Sequence, residues 1–226
     1  MRISVIIPTL NEEKVLKKTL QRLKNGFNLE IIVVDGGSSD DTVSIAREFT
    51  KRIFISPPGR ARQMNEGARH SQGDILFFLH ADSQISPGGL AKIIPAMLGL
   101  RVVGGAFRLA FDSQNILLHL IAWITNLRAW ITRIPYGDQG IFLFKDFFLK
   151  IGGFPDIPIM EDVELALRMK KEGKITLLKD KIITSSRRWE KEGVLLTTFR
   201  NRAIIMAYLL GVSPERLAAH FRNIRH

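Results

Sequence analysis

Three acidic positions draw attention, two because they follow apolar runs and one because it follows a Gly/Pro-rich turn. Asp35 follows residues 31–34, Asp82 follows 75–79, and Glu161-Asp162 comes after the turn Gly152-Gly153-Phe154-Pro155. Carboxylates so placed can do two kinds of work. One is to hold a divalent cation that neutralises a departing diphosphate; the other is to take the proton of an acceptor hydroxyl. Taken singly, each has a structural explanation as well. Asp35 could shape a glycine turn, Asp82 could cap the turn before Pro87-Gly88, and Glu161 and Asp162 could face a helix dipole. Cations lie close by in Gly59-Arg60-Ala61-Arg62-Gln63-Met64-Asn65, where Arg60 and Arg62 suit contacts to a diphosphate or base and Arg69 reads as a solvated cation. Tyr136-Gly137-Asp138-Gln139-Gly140, upstream of the acidic doublet, reads either as an acceptor-side loop or as a plain turn.

The elements that must position these residues alternate in type. Strands are expected at 3–7, 31–34, 53–55 and 75–79, with helices at 12–24, 40–49 and 60–70 between them. Asn11 is expected to cap the first helix, which carries Val15, Leu16, Leu20 and Leu23 on one face and stops at Asn25-Gly26. Strands this continuously apolar are covered on both faces, which predicts a mostly parallel sheet with crossover helices. Right-handed crossovers bring the βα turns to one edge, where ligands of open α/β sheets bind. Further on, 102–111 and 140–144 read as strands and 115–133 as a long helix. Another helix starts near Glu161, and the end from 194 divides into two helices around 211–214. Without a repeat or linker, the chain reads as one domain: a nucleotide-binding half to 110, an acceptor half over 111–190, and C-terminal helices over 191–226.

Composition narrows the chemistry. With 226 residues, 46% of them hydrophobic, the chain can bury a sizeable core. It has no cysteine, so any metal must be held by oxygen or imidazole. A formal charge of +11 suits a polyanionic partner: phosphorylated substrate, anionic membrane or nucleic acid. The apolar start is too short for a signal peptide and reads as a strand, which predicts a cytoplasmic protein. No run approaches the ~20 apolar residues of a membrane span.

Four motifs in order then carry a resemblance. These are Ser4-Val5-Ile6-Ile7-Pro8-Thr9-Leu10-Asn11-Glu12-Glu13, Val33-Val34-Asp35-Gly36-Gly37-Ser38-Ser39-Asp40-Asp41-Thr42, His80-Ala81-Asp82 and Met160-Glu161-Asp162. Together they resemble family 2 glycosyltransferases, as far as about Trp189. The resemblance implies a GT-A fold, a Rossmann-like α/β sheet flanked by helices with a helical C-terminal end. It implies a nucleotide-diphosphate sugar as donor, with a UDP-sugar favoured, and Mn²⁺ or Mg²⁺ as cofactor. Pro8, Thr9, Asn11 and Glu12 would line the nucleotide pocket, with Asp35 bonding to the base. Asp82 would match the last acid of the family's Asp-x-Asp motif and hold the metal. Asp162 would match the base of the Glu-Asp motif, with Glu161 beside it on the acceptor side. Family members invert the anomeric carbon by direct displacement.

Two departures bear on specificity. His80 stands where the family often has Asp; its imidazole could donate to a ribose or sugar hydroxyl, or fill the strand end. Ser185-Ser186-Arg187-Arg188-Trp189 looks like a degraded Gln-x-x-Arg-Trp motif, which implies transfer of a single sugar and leaves Arg188 and Trp189 as acceptor-side candidates. The combination of motifs also resembles a smaller branch associated with arsenosugar biosynthesis. A nucleotidyltransferase would need a Gly-rich loop and Lys where Thr9 to Glu13 stand, and no G-x-G-x-x-G follows the first strand to suggest a dehydrogenase. Nucleic-acid binding would need exposed aromatics on a basic stripe, whereas Trp123 and Trp130 lie in apolar runs and are expected in the core. The acceptor is then a small molecule or a lipid. The basic C-terminal region and the helix over 115–133 are expected to cover the sheet, with dimerisation or a peripheral contact at the inner face of the membrane as alternative roles.

Overall fold

The computed structural model describes residues 1–24 and 29–223, with side chains to 220; the expected stop at Asn25-Gly26 lies outside them. The first half alternates as the sequence pattern predicts: β1 (Ile3–Thr9), α1 (Glu13–Leu23), β2 (Leu29–Asp35), α2 (Thr42–Arg47), β3 (Ile53–Ile55), α3 (Arg60–His70) and β4 (Ile75–Phe78). The four strands pair in parallel in the order β3-β2-β1-β4. Alternation along β1 explains its unbroken apolar run. Val5 and Ile7 pack with Leu16, Leu20 and Leu23 of α1, whereas Ile6 faces Ala61, Met64 and Ala68 of α3. Small residues bring α3 close to the sheet: a Cβ on Gly67 would lie 2.5 Å from Ile6 Cγ2 and 3.1 Å from Val34 Cγ2.

The second half comprises β5 (Ser83–Ile85), α4 (Gly89–Met97), β6 (Val102–Phe111), α5 (Ile116–Thr132), a 3-10 turn (Gly137–Gln139), β7 (Phe142–Phe144), α6 (Lys145–Lys150) and α7 (Glu161–Glu172). It continues through β8 (Lys174–Thr184), α8 (Arg187–Glu192), α9 (Val194–Leu209) and α10 (Pro214–Asn223). β7 runs antiparallel to both β4 and β6, β6 is parallel to β8, and β5 closes the edge antiparallel to β8. One sheet in the order β3-β2-β1-β4-β7-β6-β8-β5 results, mixed but mostly parallel and flanked by helices. Sequence patterning missed β8, whose Lys179, Asp180 and Lys181 interrupt the apolar alternation near the edge of the sheet. The short β5, α4, α6 and α8 were also unassigned.

Two expectations are corrected. Asn11 does not cap α1: the N-cap is Glu12, and Asn11 adopts a left-handed φ of 55°. That conformation turns its side chain across to the next loop, where Oδ1 accepts a bond from Ser39 N at 2.9 Å. Trp123 and Trp130 are not in the core but 61% and 60% exposed. α5 instead turns Leu118, Ala122, Thr125 and Ala129 inward, because close approach to β6 requires narrow side chains, and its bulky residues fall on the outer face. Asn126 fastens this arrangement, exchanging bonds of 2.7 and 2.9 Å with the backbone N–H and carbonyl of Leu109.

Candidate active site

The strand order reverses at β1. β2 and β3 lie to one side and β4 to the other, so the loops after β1 and β4 open a crevice at their carboxyl ends. The first of these loops is built jointly with the loop after β2. Asp35 accepts from Gly37 N (2.8 Å) and Ser38 N (2.7 Å) at Oδ2, and from Thr9 Oγ1 (3.2 Å) at Oδ1; Ser38 Oγ also donates to Oδ1. The first turn of α1 is satisfied from the loop after β2 and the start of α2. Glu12 N donates to Thr42 Oγ1 at 2.8 Å and Glu13 N to Asp40 Oδ2 at 3.2 Å. Gln63 of α3 locks the two strand ends together, its amide donating to Thr9 O (2.7 Å) and Val34 O (2.8 Å). Pro8, Thr9, Asn11, Glu12 and Asp35 therefore belong to one joint loop structure, in which Thr9 and Asp35 are buried and Asp35 accepts from Thr9 and its own loop.

The loop after β4 brings in His80 and Asp82. His80, Arg60, Gly137, Glu161 and Asp162 line a narrow cavity whose apolar walls include Phe78 and Phe154. Asp162 lies in the first turn of α7, which follows a left-handed Met160 (φ 69°), and two backbone donors aim its carboxylate: Gly137 N at 2.6 Å on Oδ2 and Val163 N at 2.8 Å on Oδ1. The 3-10 turn is itself fixed by Gln139. Its Oε1 accepts from Tyr136 N (3.1 Å) and Arg128 Nη2 (3.3 Å), while its Nε2 donates to Phe107 O (3.2 Å). Arg128 lies over the Tyr136 ring, 3.4 Å from its centroid.

Electrostatically the crevice is unlike the rest of this basic protein. Burial, then the nearby Asp82 charge, raises the Glu12 carboxyl, and Arg187 opposes this from 3.4 Å. Asp82 is raised mainly by burial, with Ser83, Arg187 and Arg60 pulling the other way. Glu161 is likewise raised by burial and held down by Arg60, at 3.5 Å from Oε1. Asp138 is pushed up to about 6 by burial and by the charge of Asp162, and its buried Oδ1 has no hydrogen-bond partner. Burial and Arg60 drive His80 down to about 3, so its imidazole is neutral at physiological pH and can donate or accept.

Asp138 gives a first expected result. Its carboxyl ordinarily titrates at 3.8 and in the folded protein at about 6, so the native state binds the proton more tightly than the unfolded chain. Stability from this group is present in full below 3.8 and is lost as pH rises through 6. Asp138→Asn, which cannot ionise, should therefore be the more stable protein at pH ~8, by up to ~3 kcal/mol before screening reduces it, and the two should converge in acid. Melting temperatures across pH measure this; parallel profiles would exclude titration of Asp138 in that window.

Not every candidate reaches the crevice. Arg62 pairs at the surface with Asp156, 2.8 Å from Oδ1. Arg188 lies against Asn201 of α9, and Trp189 meets the Phe111 ring edge-on at 4.8 Å. Arg187, which sequence reasoning passed over, faces Glu12 instead. Its only signal was its place ahead of Arg188-Trp189. Gln63 was likewise missed, since a lone amide in a basic helix gives no sign that it bridges two strand ends.

Among the described residues no three His, Asp or Glu side chains gather into a metal cage. Half-buried oxygen donors at Asp82 and Glu12, in a chain without thiolates, fit a hard cation that takes most of its ligands from a bound phosphate and water.

An acidic crevice at the switch point of a mixed α/β sheet, with a helix N-terminus across from it, defines the GT-A class. The chain belongs to glycosyl transferase family 2, whose model matches residues 4–154. Among curated relatives it is 28% identical to the probable glycosyltransferase YdaM of Bacillus subtilis, over 76% of this chain and 47% of that protein. It is 31% identical to the uncharacterized glycosyltransferase Rv1514c of Mycobacterium tuberculosis, over 74% of this chain and 68% of the relative. With the dolichol-phosphate mannosyltransferase of Pyrococcus furiosus it shares 33% over 43% of this chain and 30% of that one. The chain thus spans about half of YdaM and less of the mannosyltransferase. Its fold matches S. aureus TarS 1-349 in complex with UDP-GlcNAc (TM-score 0.64, 21% identity, 82% of this chain and 58% of that one). It also matches the mannosyltransferase PcManGT from Pyrobaculum calidifontis in complex with GDP-Man and Mn²⁺ (TM-score 0.63, 21%, 80% and 56%).

Proposed function

We propose that the protein transfers a single sugar from a nucleotide-diphosphate sugar to an acceptor hydroxyl, with inversion at the anomeric carbon. The observation that carries this reading is the gathering of Glu12, Asp82, Asp138, Glu161 and Asp162 around Arg60 and Arg187 at the switch point. The loop of Pro8, Thr9, Asn11 and Glu12 and the Asp35 loop receive the nucleotide, and Arg60 and Arg187 meet the diphosphate. Asp82, with Glu12 near it, would hold Mn²⁺ or Mg²⁺, which supplies positive charge to the leaving diphosphate. Asp162 has a free lone pair on each oxygen beyond the two backbone bonds that orient it, and takes the acceptor proton. As that O–H bond breaks, the acceptor oxygen bonds to the anomeric carbon and the carbon–oxygen bond to the diphosphate breaks, its electron pair leaving with the phosphate. The neutral His80 beside Asp162 can donate to a sugar hydroxyl without adding charge, and Tyr136 and Asp138 bound the acceptor side. The small arsenosugar-associated branch remains our proposal for the subfamily, on its motif combination alone.

UDP-, GDP- and dTDP-sugars, each with and without Mn²⁺, provide the test by thermal shift. One donor class should stabilise the fold in a metal-dependent way, by about 2.7 kcal/mol at a ligand concentration a hundredfold above Kd. Absence of a shift with every donor at millimolar concentration would remove the reading.

A further inference from the structure

α5 shows solvent a continuous apolar stripe. Ile116, Leu120, Trp123, Leu127 and Trp130 follow one another at spacings of three and four, and all are exposed. α9 packs beside α5 and exposes Leu195, Phe199 and Met206, with Leu210 just after it and Arg202 between Phe199 and Met206 in the series, Phe199 being 76% exposed. A soluble monomer seldom leaves large contiguous apolar surface uncovered, and exposed bulky side chains in series on two neighbouring helices mark a surface that meets a partner. No described helix is long and apolar enough to cross a membrane, and a helix with an exposed apolar face can meet one lying in its interface plane.

Charge selects the occupant. Neither α5 nor α9 contains an acidic residue, whereas Arg133 ends α5, Arg202 lies within α9, and Lys191 and Arg216 flank it in sequence. Of the carboxylates around these helices, Glu192 pairs with Arg188 and Arg200, Glu190 accepts from the hydroxyls of Ser113 and Ser186, and Glu164 accepts from Tyr208. A second copy of the chain would bring the same two helices, with their cations and no carboxylate on either. A sheet of anionic headgroups over acyl chains supplies both what the arginines and what the tryptophans lack.

The face also adjoins the site. Arg202 lies within electrostatic reach of Arg128 and Tyr136, and the Tyr208 hydroxyl ties α9 to Glu164 of α7 at 3.1 Å, one turn beyond Glu161 and Asp162. We propose that the apolar faces of α5 and α9, with Arg133 and Arg202, seat the protein on an anionic lipid bilayer and hold its acceptor side at the membrane surface. This rests on reading the Tyr136 side of the cleft as the acceptor side.

Flotation of the full chain with vesicles tests it, using phosphatidylcholine alone and phosphatidylcholine with phosphatidylglycerol. The protein should float with the anionic vesicles at low salt, far less with neutral ones, and be released at about 0.5 M salt. Its tryptophan emission should shift to the blue on anionic vesicles. Trp123→Ser combined with Trp130→Ser should lower partitioning at least about tenfold while keeping the thermal shift with sugar nucleotide. No flotation at low salt, or equal flotation of the double variant, overturns the proposal. So does a dimer in sedimentation equilibrium whose emission anionic vesicles leave unchanged, because a second copy then covers the face. Vesicle binding is read without donor, so its failure leaves the transferase reading intact, and an inactive Asp162→Asn that still floats leaves the docking intact.

Discussion

Asp162→Asn should bind sugar nucleotide as the parent does and transfer sugar about 10²–10⁴-fold more slowly. The substitution is nearly isosteric. The amide oxygen can still accept from Gly137 N, now 2.6 Å from Oδ2, so the 3-10 turn keeps its position while Val163 N, which donates to Oδ1 at 2.8 Å, loses its side-chain acceptor. What is lost is the capacity to take a proton. A rotated amide that set its NH₂ against Gly137 N would disturb the turn as well, so donor affinity must be measured beside the rate. Unchanged donor binding with a slowed rate isolates the proton transfer. Transfer at the parental rate would move the base elsewhere, and Asp138, with its unpartnered Oδ1, is then the first residue to examine.

Asp82→Ala should abolish the metal-dependent part of donor binding and, with it, turnover. Asp82 carries a raised carboxyl because it is buried and only partly compensated by Arg187 and Arg60. A divalent cation brought by the diphosphate would relieve that cost, and among the described residues no cluster of other ligands could replace it. The neighbouring Glu12, raised partly by the Asp82 charge, should titrate lower in the variant, which gives a readout independent of activity. The check is donor titration with and without Mn²⁺ followed by a transfer assay. Full activity in a chelator, or in Asp82→Ala, would show that the reaction needs neither.

Much of the first half was legible because its signals are local. The runs that became β1, β2 and β4 are apolar on both faces, and a strand with that property needs helices on two sides, which α1 and α3 provide. The motif order added the family, and the family model covers the first three motifs, ending at 154 ahead of Met160-Glu161-Asp162. Legibility fell where an element depends on what it meets. β8 has a polar pattern because it lies near the edge of the sheet, and nothing in Lys179-Asp180-Lys181 announces pairing with β6. α5 shows the opposite failure. Its tryptophans look like core residues by composition, and only the closeness of α5 to β6, which admits Ala122 and Ala129 but not an indole, places them outside.

The site divides along the same line. Residue types and their distance from strand ends pointed to Asp35 and Asp82, because a parallel sheet with right-handed crossovers has one edge for its βα loops, whereas Glu161 and Asp162 were named from a Gly/Pro-rich turn and the family resemblance. The relation between those residues came from contacts spanning long stretches of chain. Gln63 tying the ends of β1 and β2, Arg187 reaching Glu12, and Gly137 N holding the carboxylate of Asp162 each join positions that no spacing rule relates. Arg62 and Arg60 show the limit most plainly: two residues apart on one helix, they point to Asp156 at the surface and to Glu161 in the crevice. A chain of this kind carries its class in local pattern, since periodicity and loop chemistry follow from backbone geometry. Which charges share a cavity, and which apolar faces stay open, is decided only when distant segments pack and burial sets the cost of each group.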